Sequence, residues 1–444
     1  MTDRYDVVII GAGQAGVPLA AAFADAGRRT ALIERAHVGG TCVNEGCTPT
    51  KTLVASGRVA YLARRAGEYG VRAAGVGVDM TAVHARMAGV VERFRTGGEN
   101  RLATHGVTLV RGDARYLDAR TIAVGDLRIE TPLSVIDTGG RPARPAISGL
   151  DTAYTLDSTS MLDVETLPEH LVIVGGGYIG CEFAQMFRRF GSAVTIIARG
   201  ALLSGEDPDV VAALTEIMVE DGIEVIRQAR VVSISPGRVT LADRTVEGSH
   251  ILVATGRVPN TETLGLSAAG VAVTPAGFIK VTDTLVTTVP GIYATGDVTG
   301  EPQFTHVSYD DFRILKTNLI DGGQATTTGR LVPYTIFTDP QLGRVGLTET
   351  AARAAGHDVV VATLPMTSVA RAIETGETRG QIKAVVNRAT SRILGVAVLG
   401  IEGGEIMGAF QIAMMGNLPY QRLRDAIFAH PTTLESLNNL FASL

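Results

Sequence analysis

Val7-Val8-Ile9-Ile10-Gly11-Ala12-Gly13-Gln14-Ala15-Gly16 decides the fold. Its first four residues are a short, unbroken run of β-branched side chains, the pattern of a parallel strand buried on both faces. The glycines follow, then a helical run through Ala26 that Gly27 stops. A second strand over 29–33 ends at Glu34. The whole is a βαβ dinucleotide unit. Gly11 permits the tight turn, Gly13 lets the backbone approach a pyrophosphate, and Gly16 lets helix and strand pack closely. The helix N-terminus attracts phosphate, and Glu34 can accept hydrogen bonds from ribose hydroxyls. An incidental glycine turn would match the three glycines but not the strand, helix, second strand and terminal acid around them.

Composition narrows the class. The chain has 444 residues, 45% hydrophobic and 19% charged, with a net charge of −5 and no strong run of one sign. That length suits about three domains, and the charge balance gives no reason to expect a nucleic-acid partner. No signal peptide and no apolar run of membrane-spanning length is expected, so the cytoplasm is the default location. Three cysteines make no secreted disulfide framework. In a reducing compartment a cysteine pair is catalytic or metal-binding more often than structural.

Two of those cysteines lie in Gly39-Gly40-Thr41-Cys42-Val43-Asn44-Glu45-Gly46-Cys47-Thr48-Pro49-Thr50-Lys51. Beyond Pro49 the apolar positions Leu53, Val54, Ala60 and Tyr61 fall at helical spacing. Cys47 is therefore expected near a helix N-terminus, which stabilises a thiolate through the dipole and free N–H groups. A zinc site needs four ligands, and no nearby cysteine or histidine completes a set; no metal ligands are assigned. An inert pair of buried cysteines fits the same spacing.

A second nucleotide unit starts at Leu171-Val172-Ile173-Val174 and continues through Gly175-Gly176-Gly177-Tyr178-Ile179-Gly180, a helix to about Phe190, and a strand over 193–197. The position corresponding to Glu34 is Ala198, followed by Arg199. An acid would repel a 2′-phosphate and an arginine can pair with it, so this unit is expected to take NADPH rather than NADH. Arg199 as a solvated strand-end charge is the alternative. Each unit ends in a strand running into a Thr-Gly turn, at Thr138-Gly139 and Thr255-Gly256. A third such turn, Thr295-Gly296-Asp297, ends in an acid that could bind a cofactor hydroxyl or cap the next helix. From Leu331 the pattern is α+β, with strands over 335–337, 344–346, 381–386 and 393–399 and helices over 348–356, 403–416 and 420–427. Near its end, His430 and Glu435 could form an imidazole oriented by a carboxylate; local sequence alone favours a surface histidine before a capped helix.

These stretches together resemble the flavin-dependent pyridine nucleotide-disulfide oxidoreductases, among them glutathione reductase, dihydrolipoamide dehydrogenase and mercuric reductase. Residues 39–51 are similar to that family's active-site motif. The resemblance implies an α/β fold of two tandem Rossmann-like nucleotide-binding domains plus a C-terminal α+β dimerisation domain. It places an FAD-binding domain at 1–145 and 262–330, an NAD(P)H-binding domain at 146–261 and a dimerisation domain at 331–444. It implies FAD held by Gly11, Gly13, Gly16, Glu34, Gly40, Thr41, Thr138, Gly139 and Asp297, and a pyridine nucleotide held by Gly175, Gly177, Tyr178, Gly180, Arg199 and Gly256. In the same way Cys47 would contact the flavin, Cys42 would attack substrate, and Lys51 would pair with Glu182 near the flavin. Tyr178 would cover the nicotinamide pocket, and His430, held by Glu435, would shuttle protons in the other subunit of a homodimer. Cys181 reads as packing.

Within the family, Ile197-Ala198-Arg199, Glu206-Asp207-Pro208 and Phe337-Thr338-Asp339-Pro340-Gln341 resemble mercuric reductases. The chain departs from them in lacking the paired C-terminal cysteines and in having His430-Pro431. The stretch from Leu418 to Leu440 is similar to mercuric-reductase-like flavoproteins of bacterial reactive-chlorine defence, which act on copper. The expected function is transfer of electrons from NADPH through flavin and the Cys42–Cys47 disulfide to a small disulfide or a thiol-bound metal ion. The alternatives are an NAD-linked activity of the dihydrolipoamide dehydrogenase type and a redox- or metal-sensing flavoprotein with little turnover.

Overall fold

In a computed structural model that describes residues 2–444, Val7–Ile10 is the buried middle strand of a five-stranded parallel sheet. Its neighbours, in order, are Ile292–Ala294 and Ser134–Ile136 on one side and Thr30–Glu34 and Thr108–Arg111 on the other. Ile10 pairs with both Ile33 and Ile136. The Gly11 turn, Glu34 and Asp137 therefore emerge at one carboxyl-end edge, where open α/β sheets bind ligands. Gly16–Asp25 is the first crossover helix, and Gly27, at φ +76°, follows its end.

The chain leaves this sheet through Gly140–Pro142 and returns through Arg257–Pro259, and these two strands pair antiparallel as a neck. Between them lies a four-stranded parallel sheet in the order Glu224–Ile226, Ala193–Ile197, His170–Val174, His250–Val253. Tyr178–Phe190 is its dinucleotide helix, and Cys181 is fully buried in its core.

The last third is a five-stranded antiparallel sheet in the order Tyr334–Ile336, Gln341–Gly346, Ile393–Gly400, Gln381–Asn387, Val359–Pro365. Val359–Pro365 is an edge strand that the sequence reading omitted, although it opens with the β-branched run Val359-Val360-Val361. The helix expected over 420–427 is only Gln421–Arg424. Asn438 Nδ2 reaches the carbonyls of Leu423, Arg424 and Ala426, so a side chain takes the place of further helical turns.

Polar contacts tie the three parts together. Arg58, on the helix Cys47–Arg64, pairs with Asp339 at 2.8 Å and with Glu377 at 2.9 Å. Gln185, on the second dinucleotide helix, accepts a hydrogen bond from the Asp339 N–H and donates to the Asp339 carbonyl. Among the described residues, no helix is long and apolar enough to cross a membrane.

Candidate active site

A cavity of about 910 Å³ lies where the three parts meet, at the large end of the roughly 300–1,000 Å³ usual for small-molecule sites. One end is walled by the Gly11–Gly13 turn and Glu34, the other by Cys42, Cys47, Lys51, Tyr178 and Glu182.

At the nucleotide end Gly11 has φ +106°, and a Cβ there would strike the Asp137 carbonyl. Gly40, at φ +60°, packs so closely on the turn that a Cβ would lie 2.8 Å from the Gly13 Cα. The Glu34 carboxylate accepts the N–H groups of Ala12 (2.9 Å) and Ala36 (2.8 Å), which fixes it in place. Gly139, at φ +61°, has open space where its Cβ would be, so its backbone faces the cavity directly. Thr138 exchanges hydrogen bonds with Asn260 across the neck, and Thr41 reaches the Gly140 carbonyl. Asp297 does not cap the next helix, Thr305–Leu319. It sits in a 3₁₀ turn, Gly296–Thr299, on the cavity wall, 3.6 Å from Arg257. Burial raises its pKa, against the Arg257 charge. A bare-backbone turn at a helix start beside two acids fits the pyrophosphate and hydroxyls of FAD, and the cavity continues from there to the cysteines.

At the other end Cys42 lies in the short helix Gly40–Asn44, and Cys47 is the first residue of Cys47–Arg64. Both are free thiols. Cys47 Sγ is 3.2 Å from Thr305 Oγ1. The hydrogen bond from Cys42 is the largest influence lowering the Cys47 pKa, to about 6; Thr305 and the Lys51 charge add to it, and burial opposes it. Its partner moves the other way: the hydrogen bond to Cys47 and burial push the Cys42 thiol up. The two shifts run in opposite directions, favouring the proton on Cys42 and the thiolate on Cys47. Lys51 Nζ lies 2.7 Å from Glu182 Oε2, and Glu182 Oε1 accepts the Phe337 N–H at 2.8 Å. Tyr178 packs on Phe304, which stacks with both His306 and Tyr334.

In the second unit, Gly175 (φ +131°) makes the turn and a Cβ on Gly180 would strike the Gly175 carbonyl; Gly177 caps the helix that Tyr178 begins. Gly256, at φ +132°, follows the strand His250–Val253. Arg199 is exposed at the sheet edge. The Ala198 N–H donates to the Ile226 carbonyl and the Ala229 N–H to the Ala198 carbonyl. Two more exposed arginines, Arg227 and Arg230, are thereby brought to the same edge. A search beside Arg199 in sequence misses them because they follow the neighbouring strand.

His430 and Glu435 do meet, with Nδ1 2.8 Å from Oε2. They are absent from the cavity wall of their own chain, and the His430 side chain is 73% exposed. Thr305 and His306, which do line the cavity, carried no local signal in the sequence.

Residues 5–311 match the model of the pyridine nucleotide-disulphide oxidoreductases, and residues 332–441 match that family's dimerisation domain. The chain belongs to the pyridine nucleotide-disulphide oxidoreductase family. It is 39% identical to the probable pyridine nucleotide-disulfide oxidoreductase RclA of Escherichia coli, over 99% of each chain. It is 34% identical to a mercuric reductase of Lysinibacillus sphaericus, over 98% of this chain and 82% of that one. The structure of the HOCl-induced flavoprotein disulfide reductase RclA from E. coli superposes with a TM-score of 0.91 at 38% identity, covering 99% of both chains. Members of this oxidoreductase family are flavoprotein enzymes that use FAD and a pyridine nucleotide, and the dimerisation domain supports a homodimer.

Proposed function

We propose that this flavoenzyme oxidises NADPH and passes the electrons through the Cys42–Cys47 pair to a small disulfide or a thiol-bound metal ion. The polarised cysteine pair carries this reading: a thiolate on Cys47 and a proton on Cys42, in the cavity that holds the FAD turn. FAD, when bound, supplies the step between a two-electron hydride donor and the cysteine disulfide. The chain's residues do the rest. Lys51, held by Glu182, places a positive charge beside the Cys47 sulfur, and Tyr178 covers the nicotinamide pocket. Cys42 attacks one sulfur of the acceptor disulfide and expels the other as a thiolate. Cys47 then attacks Cys42, closing their disulfide and releasing the second thiol. His430 of the partner subunit, oriented by Glu435, takes the Cys42 proton and gives it to the leaving thiolate. In total NADPH, one proton and a disulfide yield NADP⁺ and two thiols.

The arginine trio supports NADPH over NADH, since exposed guanidiniums at that edge can pair with a 2′-phosphate. The neck of paired strands supports FAD-binding parts at 1–145 and 262–330, an NADPH-binding part at 146–261 and a dimerising part at 331–444. The Cu(II) complex known for RclA supports Cu(II) as the metal ion to try first. Steady-state NADPH oxidation against oxidised glutathione, lipoamide, mycothiol-type disulfides, Hg(II) with excess thiol, and Cu(II) tests the reading. Turnover that one acceptor raises and Cys42→Ser removes supports it. No stimulation by any acceptor favours a sensor that holds metal between the two cysteines.

A further inference from the structure

Asp137 follows the strand Ser134–Ile136 directly, at the edge where the dinucleotide turn begins. Its backbone is pinned in the sheet: its N–H donates to the Ile10 carbonyl at 2.8 Å, and the Thr295 N–H donates to the Ile136 carbonyl at 2.9 Å. The side chain points beneath the glycine turn and is buried, 6% exposed. Oδ2 accepts the Gly16 N–H at 2.8 Å, and a Cβ on Gly13 would stand 2.6 Å from it. Oδ1 lies 3.4 Å from Thr295 Oγ1. The carboxyl group thus fills the space between the first helix and the Thr295–Gly296 turn, and it belongs to the cavity wall.

The charged side chains around it are all of one sign, opposed by the N-terminus of the helix Gly16–Asp25, whose first N–H it accepts. Asp297 has Arg257 at 3.6 Å and Asp311 has Arg330 at 2.7 Å, but Asp137 has no cationic partner among the described residues. The Gly11–Gly16 turn contains no titratable side chain. Asp297 and Asp311, from the 3₁₀ turn and from Thr305–Leu319, are acids, and Glu34 lies two strands away in the sheet. A carboxylate here would be buried, unpaired and beside other acids, and a bound pyrophosphate would add negative charge above it.

We propose that Asp137 serves as a neutral carboxylic acid in the floor of the FAD pyrophosphate seat, and that its ionisation drives the cofactor out. Burial, then repulsion from Asp297 and Asp311, raises its pKa to about 8 against the Gly16 hydrogen bond. The phosphate raises it further, so release begins above that pH. The sign is fixed: a raised carboxyl pKa means that the protonated form belongs to the filled seat and that retention falls as pH rises. The inference needs the FAD seat but not the acceptor or the cysteine roles, so the two can fail separately.

The test is release of FAD from diluted holoenzyme, read as the rise in flavin fluorescence, between pH 6.5 and about 10. Wild type is expected to hold FAD at neutral pH and to lose affinity about tenfold per pH unit once Asp137 ionises. Asp137→Asn keeps the polar group but cannot ionise, and should release FAD with no such slope. A wild-type profile that is flat across the range overturns the proposal whether or not the variant folds. A slope that persists in Asp137→Asn or in Asp137→Ala also overturns it, since another group would then be titrating.

Discussion

Lys51 Nζ and Glu182 Oε2 stand 2.7 Å apart, and they come from different nucleotide units, one from the cysteine helix and the other from the second dinucleotide helix. The pair joins the cysteine helix to the helix that follows the second glycine turn, within reach of the Cys47 sulfur. Glu182 is 3% exposed and its other oxygen holds the Phe337 N–H, so the third part of the chain is fixed by the same carboxylate.

Glu182→Gln leaves the shape but removes the charge that faces Lys51. Stability should fall by roughly 1–3 kcal/mol, less than for a fully buried pair because Lys51 keeps some access to solvent. Chemical denaturation reads that loss. Rapid-mixing reduction by NADPH should slow in the same variant, because the lysine is no longer held in place.

The Cys47 thiolate should titrate near pH 6 in the reduced enzyme. Its pKa is depressed, so the thiolate is present above that value and is lost as pH falls through it. Alkylation by iodoacetamide, followed against pH, measures the midpoint. Thr305→Val removes a hydrogen bond that lowers the pKa, and should move the midpoint up.

How much of this was legible in advance depends on how local each signal was. The glycine turns, Glu34 and the cysteine motif lie within short contiguous stretches, and the structure has them on the expected strands and helix ends. Lys51–Glu182 was reached through family resemblance alone, since the two are 131 residues apart. Thr305 beside Cys47 is a pairing over 258 residues that no periodicity encodes. Arg227 and Arg230 were missed for a similar reason: what brings them to Arg199 is the pairing of two parallel strands, not nearness in sequence. Asp137 was passed over because an acid before a Thr-Gly turn looks exposed until the burial of its neighbours is known.

The three arginines give a prediction about cofactor choice. Arg199→Ala should raise KM for NADPH by about tenfold, the effect of losing one charge-assisted contact of about 1.5 kcal/mol, and leave NADH almost unaffected. Adding Arg227→Ala and Arg230→Ala should narrow the preference further. Equal effects on both nucleotides would mean that these side chains do not meet the 2′-phosphate.

His430 is paired with Glu435 yet stands outside its own cavity, so it should act on the partner subunit's cysteines. His430→Gln should cut turnover with a disulfide acceptor by roughly 10²–10⁴, the usual worth of a general acid–base group. Mixed dimers settle where it acts. His430→Gln and Cys47→Ser homodimers should both be nearly inactive, and a dimer of one of each should regain one working site. Failure of the mixture to recover activity would place the histidine within its own subunit, and a fully active His430→Gln homodimer would place it outside the reaction.

The central claim is that Cys42 and Cys47 exchange electrons with the flavin, and an anaerobic reductive titration tests it most directly. Oxidised wild type should take up four electrons per subunit, two for the flavin and two for the disulfide. A long-wavelength absorption band from the Cys47 thiolate should appear after the first two. Cys42→Ser should take up two and show no need to reduce a disulfide. Wild type that accepts only two electrons, with the same spectrum as Cys42→Ser throughout, would contradict the account.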